Sequence, residues 1–518
     1  MIDKIFYNGK VLTQDKQNPG ATAFAIEEGK FCAVGDDTAI LNLRSPLTSL
    51  IDLKGKTVIP GFNDAHIHVW KVGNLLTYML DLRGVKDLKE MQDKLIDYAI
   101  KNPHLEWILA RGFNEANFPD KKMPDKSDLD KIIPDRPVCV IRTCAHQVIV
   151  NSKALEKCEI QSSTLAPPGG EIKLLLDGTL AGHFTETAIG LILGKIPKYG
   201  PQQLREMILA AQEIFIQHGI TSATDPAAEK DLIDIYKQMD KAGELKIRIN
   251  LFPIRVPDGI NKVYPLPEKY HSDHLNIDTV KFFADGGLSG KTAAMKNAYQ
   301  NSNEFGVLRI EKEVFKKLAL ESQDAGFRIA VHAIGDLAIE MVLEVFDEIK
   351  NSNINKINHR IEHLAFPSEK NLKLMYDLNI SAVMQPIFIY ELGKNFKNYL
   401  NEAYLNFVYP VKTVFNSGIN VAFSTDAPVV KNFDPFFNII SAMERKDAEG
   451  TLISPDQKIT FEEGLFAYTM GSAIASGNSS VCGSVQENKF ADFVILDGDT
   501  PSDYKVADTF INGKSLSH

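Results

Sequence analysis

Apolar and polar positions alternate with a period of two at both ends of this chain. Lys4-Ile-Phe-Tyr-Asn-Gly-Lys-Val-Leu-Thr carries a hairpin-like Asn-Gly, and Ala23-Phe-Ala-Ile-Glu-Glu-Gly-Lys-Phe-Cys-Ala-Val-Gly repeats the form. The same grammar returns in Phe493-Val-Ile-Leu-Asp-Gly-Asp and Ala507-Asp-Thr-Phe-Ile-Asn-Gly-Lys. The two termini, residues 1–58 and 477–518, are therefore expected to join in one β-sandwich. From about Thr57 to Ser476, strand-like apolar runs alternate with helical periodicity, clearest over Gln202 to His218, Lys312 to Ala325, Asp336 to Ile349 and Phe461 to Tyr468. This βα alternation predicts an α/β fold with a parallel sheet closed as a barrel over 59–476. It breaks between roughly Val85 and Leu175, where Pro119-Asp-Lys-Lys-Met-Pro, Pro134-Asp-Arg-Pro and Ala166-Pro-Pro-Gly-Gly mark turns. An inserted β-rich subdomain is expected there, over 85–175.

One apolar run ends in chemistry. Val58-Ile-Pro-Gly-Phe-Asn-Asp-Ala-His-Ile-His closes on His66 and His68. Residues two positions apart on a strand face the same way, so two imidazoles can reach one metal. A lone His-x-His is a weak signal. Four further groups, however, stand at the ends of strand-like segments, each followed by a helix-like stretch. They are Lys281 in Thr279-Val-Lys-Phe-Phe-Ala-Asp-Gly-Gly, His332 in Arg328-Ile-Ala-Val-His, His363 in His359-Arg-Ile-Glu-His, and Asp426 in Asn420-Val-Ala-Phe-Ser-Thr-Asp-Ala-Pro. Parallel α/β folds place their chemistry at the carboxyl ends of strands. Nitrogen and oxygen donors suit Zn²⁺ and related metals, and such a site is catalytic when one coordination position stays open. Plainer readings exist: Asp426 lies in Ser-Thr-Asp-Ala-Pro, a helix start that an aspartate can cap, and Lys281 can be a snorkelling lysine at a strand end.

With these positions go Trp107-Ile-Leu-Ala-Arg-Gly-Phe-Asn-Glu, Gly169-Gly-Glu-Ile, Val331-His-Ala-Ile-Gly-Asp and Phe490-Ala-Asp-Phe-Val-Ile-Leu. Pro137-Val-Cys-Val-Ile-Arg-Thr-Cys-Ala-His-Gln-Val-Ile-Val-Asn-Ser-Lys-Ala-Leu belongs to the same set. Over essentially the whole chain they resemble the amidohydrolase superfamily, in the amidohydrolase-3 branch that includes N-substituted formamide deformylases. The resemblance implies a (β/α)8 TIM-type barrel with a β-sandwich formed by both termini and an inserted β-rich subdomain. It implies a metal site of His66, His68, Lys281, His332, His363 and Asp426, holding one or two divalent ions, zinc foremost. If two ions are held, Lys281 joins them as a carbamate. Its neighbours Val280, Phe282 and Phe283 suggest an apolar setting that lowers a lysine's pKa and frees the amine to add carbon dioxide. A single metal on His66, His68, His332 and Asp426 is the alternative. The resemblance also turns His146, in Thr-Cys-Ala-His-Gln, toward a small-molecule substrate.

A bound metal lowers the pKa of water toward about 7. The expected reaction is attack of this metal-activated hydroxide on a non-peptide carbon–nitrogen bond, in an amide or N-substituted formamide. Asp426 is the expected general acid/base, and His363 serves as ligand or donor that polarises the carbonyl. Two alternatives stay open: a heterocyclic amine deaminase, because the same site can direct hydroxide at a ring carbon, and a catalytically inert barrel used for binding or assembly. Arg360 and Glu362 are expected to pair behind the site, and Asp336 to cap its helix. After Val383-Met-Gln-Pro the chain continues Ile387-Phe-Ile-Tyr where many relatives carry a histidine, and Phe184 follows His183 where relatives often have small or aliphatic residues, which predicts a more apolar pocket.

Composition narrows the partners. The 518 residues carry a net charge of −10 from 57 basic and 67 acidic side chains, without the basic footprint of a nucleic-acid binder. No run approaches the roughly 20 apolar residues of a membrane span, and the first residues lack a secretory core, so a cytoplasmic enzyme is expected. Five cysteines, among them Cys144 near His146, form no Cys-x-x-Cys pair and are expected to be reduced. A homodimer stays open.

Overall fold

The computed structural model describes residues 1–143, 147–167, 170–257, 262–350 and 358–516. His146 and Cys144 lie outside the described residues. The chain divides into two units, Met1–Val69 with Gln212–His518, and Trp70–Ala211.

In the first unit the terminal segments build two sheets. Lys30–Gly35, Ala23–Glu27, Lys4–Tyr7 and Ser49–Asp52 lie side by side in one. Lys514–Ser515, Lys505–Ile511, Phe493–Asp497, Thr57–Pro60, Lys10–Leu12 and Gly20–Ala21 form the other. One apolar core takes side chains from both. Phe6 stacks on Phe24 at 5.0 Å between ring centroids, meets Phe493 edge-on at 5.1 Å, and Phe493 stacks on Phe510 at 4.4 Å. Rings at these separations add their pairwise attraction to the area they bury.

The run from Val58 to His68 is split between sheets. Thr57–Pro60 pairs antiparallel with Phe493–Asp497, the chain turns at Gly61, and Phe62–Asp64 begins a new sheet beside Ile220–Ala228. A Cβ at Gly61 would strike the Thr221 side chain, so a larger residue would push the strands apart. The new sheet continues to Arg248–Pro253 and Leu275–Ile277, parallel throughout, with Tyr270–His271 as an antiparallel edge.

A second sheet holds Thr279–Phe283, Arg328–Ala333, Arg360–His363, Ser381–Met384 and Val421–Phe423, parallel and in sequence order. Helices Lys312–Asp324, Asp336–Glu348, Glu369–Asp377 and Ile387–Tyr399 occupy the successive connections. The strands are buried almost throughout, hence their continuous apolar sequence with polar residues only where they do chemistry. Backbone hydrogen bonds join the two sheets at two places: Ala65 N, just past the edge strand Phe62–Asp64, to Phe423 O at 3.1 Å, and Arg255 N, just past the inner strand Arg248–Pro253, to Lys281 O at 3.1 Å.

Predicted helices begin and end within a residue or so of those observed, as in Pro201–Gln217 and Asp336–Glu348. The predicted Phe461–Tyr468 helix is different. It runs Phe461–Phe466, passes through a π-helical turn at Ala467–Gly471 and resumes over Ser472–Ala475. Asp336 does not cap its helix, because Gly335 holds that position. From the first helical position its carboxylate accepts from Leu337 N at 3.0 Å, and also from Lys296 N at 2.8 Å and Tyr404 OH at 2.7 Å, fastening a loop and the short helix Glu402–Leu405 to the helix start.

The second unit is a mixed sheet of Gly170–Leu174, Leu180–Glu186, Gln147–Val150, Val138–Arg142, Ile108–Phe113 and Leu80–Asp81, in spatial order. Alternate residues face opposite cores: Ile108, Ala110, Val138 and Val140 one, Leu109, Cys139, Val148 and Val150 the other. Cys32, Cys139, Cys158 and Cys482 are free thiols. Among the described residues no helix is long and apolar enough to cross a membrane.

Candidate metal centre

His66 and His68 are not on a strand, as the sequence suggested, but in the bend between Phe62–Asp64 and the helix Val69–Thr77. Their rings converge because the bend is anchored. Ile67 N donates to Thr224 O at 2.9 Å, His68 N to Ala427 O at 2.9 Å and Asp426 N to His66 O at 2.8 Å. Beneath the bend, Asp64 accepts from His66 N at 3.1 Å and Thr425 Oγ1 at 2.8 Å. Burial pushes the Asp64 carboxyl up to about 7.

Asp426 follows the Val421–Phe423 strand with φ +58°, a left-handed conformation uncommon for a residue with a Cβ. It brings Oδ1 to 3.4 Å from His66 Nε2 and 3.3 Å from His68 Nε2. The facing imidazoles outweigh burial and hold the Asp426 carboxyl well below the ordinary range.

Lys281, His332 and His363 come from three adjacent strands, with Phe283 opposite His332 and Ala333 opposite His363. The His363 ring lies 5.2 Å from that of His66 and 4.5 Å from that of His332, centre to centre. His363 also has positive φ, +75°. Burial drives His332 well below the usual imidazole range and His363 down to about 4, so both rings are neutral. Lys281 is fully buried, its Nζ has no hydrogen-bond partner among the described residues, and it sits 5.1 Å from the centre of the Phe283 ring. Burial lowers its pKa to about 8, against the pull of the Glu362 carboxylate.

Three of the histidines that face the centre, His66, His332 and His363, are held from behind. Glu362 Oε2 is 2.5 Å from His66 Nδ1, and Arg360 Nε donates to Glu362 Oε1 at 2.6 Å. The expected Arg360–Glu362 pair thus exists, and Glu362 has the further task of gripping His66. His332 Nε2 donates to Gly286 O at 3.0 Å, and His363 Nδ1 meets Gln385 Oε1 at 2.8 Å. Partners of this kind fix ring orientation and raise ligand basicity in metal sites. Nearby, the buried Asp285 accepts from the backbone N–H groups of Ala294, Ile334 and Gly335 at 3.0, 3.0 and 2.8 Å, joining the two loops beside His332. Sequence reasoning missed Asp64, Asp285 and Gln385. For the two aspartates a signal existed, a carboxylate closing a buried apolar run, which must find donors.

Donors about 2.0–2.1 Å from a tetrahedral metal lie roughly 3.4 Å apart, which is the spacing between Asp426 Oδ1 and the two Nε2 atoms. His66, His68 and Asp426 therefore fit a divalent ion, and their donor atoms all fall within 4.8 Å of one another. The orphaned amine of Lys281 fits a group that becomes a ligand only after covalent change.

Residues 49–514 match the family model of the amidohydrolase family, and the chain belongs to that family. The protein LONG AFTER FAR-RED 3 of Arabidopsis thaliana is 27% identical over 538 residues, covering 100% of this chain and 92% of that protein. The N-substituted formamide deformylase of Arthrobacter pascens is 25% identical over 518 residues, covering 96% of this chain and 94% of that enzyme. Among solved structures, an uncharacterized metal-dependent hydrolase from Pyrococcus horikoshii superposes with a TM-score of 0.80 at 24% identity, covering 97% of this chain and 98% of that one.

Proposed function

We propose that this chain is a metal-dependent hydrolase of a carbon–nitrogen bond other than a peptide bond, in an amide or N-substituted formamide. The observation that carries the reading is the approach of Asp426 Oδ1 to His66 Nε2 and His68 Nε2, with the unpartnered Lys281 amine buried nearby. His66, His68 and Asp426 would hold one divalent ion, zinc first by donor type, and His332, His363 and Lys281 as its carbamate would hold a second. When bound, such ions lower the pKa of water toward about 7 and polarise a carbonyl oxygen.

The chain's own groups do the rest. Asp426 stays ionised, so it accepts a proton from the attacking water and returns it to the leaving nitrogen. His332 and His363 stay neutral and keep lone pairs for ligation or for orienting the carbonyl. Lys281, with its pKa lowered to about 8, presents some free amine at neutral pH, the form that takes up carbon dioxide. His146 is retained as the residue facing a small-molecule substrate, and the protein as cytoplasmic.

We read the two parallel sheets as halves of one eight-stranded barrel spanning 59–476, in which Leu275–Ile277 and Thr279–Phe283, separated only by Asp278, count as one strand, with the region 85–175 inserted and 1–58 and 477–518 forming the sandwich. The backbone hydrogen bonds between the two sheets, at Ala65–Phe423 and at Arg255–Lys281, support closure. The test is a panel of amides and formamides on protein purified without chelator, with elemental analysis alongside. Carboxylate or formate release that stops on metal removal supports the proposal. Ammonia release from ring amines alone would replace it with deamination, and absence of both metal and turnover would leave an inert barrel.

A further inference from the structure

The three histidines held from behind have unequal partners. Glu362 and the Gly286 carbonyl can only accept, whereas the Gln385 amide offers a donor at one end and an acceptor at the other. If the amide turned over, it would present its NH₂ to His363 Nδ1 and force the opposite ring tautomer. We infer that Gln385 is a positioning residue for His363, locked in one orientation by Ser424, so that the His363 lone pair stays on Nε2. The inference rests on the reading of His363 as a metal-site residue given above.

The direction of the chain of hydrogen bonds follows from its far end. Ser424 Oγ lies 3.5 Å from Met384 O, which can only accept. With its proton turned toward that carbonyl, Ser424 accepts from Gln385 Nε2 at 2.8 Å. That leaves Gln385 Oε1 to accept from His363 Nδ1 at 2.8 Å. All three side chains are buried, where an amide pointing the wrong way loses hydrogen bonds that water does not replace. The lock is itself fastened: Ser424 N donates to Met384 O at 3.1 Å, and Asn438 Nδ2 donates to Ser424 O at 2.8 Å. Phe388 lies nearly parallel to the His363 ring, 12° between planes and 6.2 Å between centres. Ser424 is two residues from Asp426, so the same chain couples the orientation of His363 to the loop that carries the general acid/base.

The experiment uses full-length protein with ¹⁵N-labelled histidine, metal-free and at one fixed pH, with His363 assigned from the His363→Asn variant. Long-range ¹⁵N–¹H spectra are expected to show the proton on Nδ1 of His363 in the wild type and in Gln385→Glu, which keeps an acceptor at that place. Gln385→Leu and Ser424→Ala are expected to give the other tautomer or a mixture. Zinc affinity, read by chelator competition, is expected to fall at least about tenfold in Gln385→Leu and to return to within a few-fold in Gln385→Glu. An Nε2 proton in the wild type, or a tautomer unchanged in both Gln385→Leu and Ser424→Ala, would overturn the inference. If Gln385→Leu does not fold, Ser424→Ala decides by the same spectrum. Wild-type protein that binds no zinc yet shows the Nδ1 proton would defeat the metal-site reading and leave the role of Gln385 standing.

Discussion

Glu362 Oε2 stands 2.5 Å from His66 Nδ1, and the same carboxylate faces the fully buried guanidinium of Arg360. One side chain therefore compensates a buried charge and sets the attitude of a metal-site imidazole. Glu362→Gln keeps the shape and removes the charge. Metal-free protein is expected to lose about 3–5 kcal/mol of stability by chemical denaturation, because Arg360 is left buried without its counter-ion. Zinc affinity should drop about 10–100-fold in chelator competition. Unchanged stability would mean that Arg360 is satisfied by the carbonyls it also contacts.

Asp426→Asn retains an oxygen at the site and removes the base. Against the best substrate of the amide panel, kcat is expected to fall about 10²–10⁴-fold, while the thermal midpoint of the metal-free protein moves little. A kcat within threefold of wild type would assign proton transfer to another group.

Lys281→Met exchanges an unpartnered buried amine for an apolar side chain of similar length. The metal-free variant should be as stable as the wild type or more so, since no hydrogen bond is lost and a costly desolvated group is removed. Its metal content should fall by about one equivalent by elemental analysis, and the carbon dioxide adduct should vanish from the native mass. Equal metal content in both proteins would reduce the centre to one ion.

His359 supplies a pH signature away from substrate chemistry. It is buried, its Nδ1 accepts from Ile329 N at 3.1 Å, and burial pushes its pKa down to about 3. The unfolded chain takes up a proton below about 6.5, whereas the folded ring refuses it until near pH 3. The stabilisation is therefore complete above pH 6.5 and is lost at about 1.4 kcal/mol per pH unit as pH falls through that window. Between pH 7 and 5 the wild type should lose about 2 kcal/mol more than His359→Gln, both measured metal-free by denaturant unfolding. Parallel losses would clear His359.

Part of this candidate site was legible because its polar groups lie within or just beyond buried strands, and a polar group in such a run stands out. Lys281, His332, His363 and Asp426 were visible in that way. The His66–His68 geometry was not, because the sequence does not show that Gly61 ends one strand and lets another begin, which moves the pair into a bend. Gln385 was hidden for a different reason: its partners, His363 and Ser424, are 22 and 39 positions away, and an isolated glutamine carries no periodic signal. The partners of His359 are remote in the same way: Ile329 and Gln323, 30 and 36 positions off, meet its two nitrogens. Asp336 shows the limit of local rules, since a good capping residue was one position late and its carboxylate was taken by Lys296 and Tyr404.

Thr57–Pro60 pairs with Phe493–Asp497, near opposite ends of the 518-residue chain, and continues directly through Gly61 into the strand that leads to His66. During synthesis at about 5–20 residues per second, the first half of that pairing waits tens of seconds for the second. Throughout that interval Phe6, Phe24 and Phe31 have no Phe493 or Phe510 to cover them, and the free edge of Thr57–Pro60 is open to any neighbouring strand. The nascent chain thus carries an unpaired strand edge and uncovered aromatic rings until Phe493–Asp497 has been made to close them.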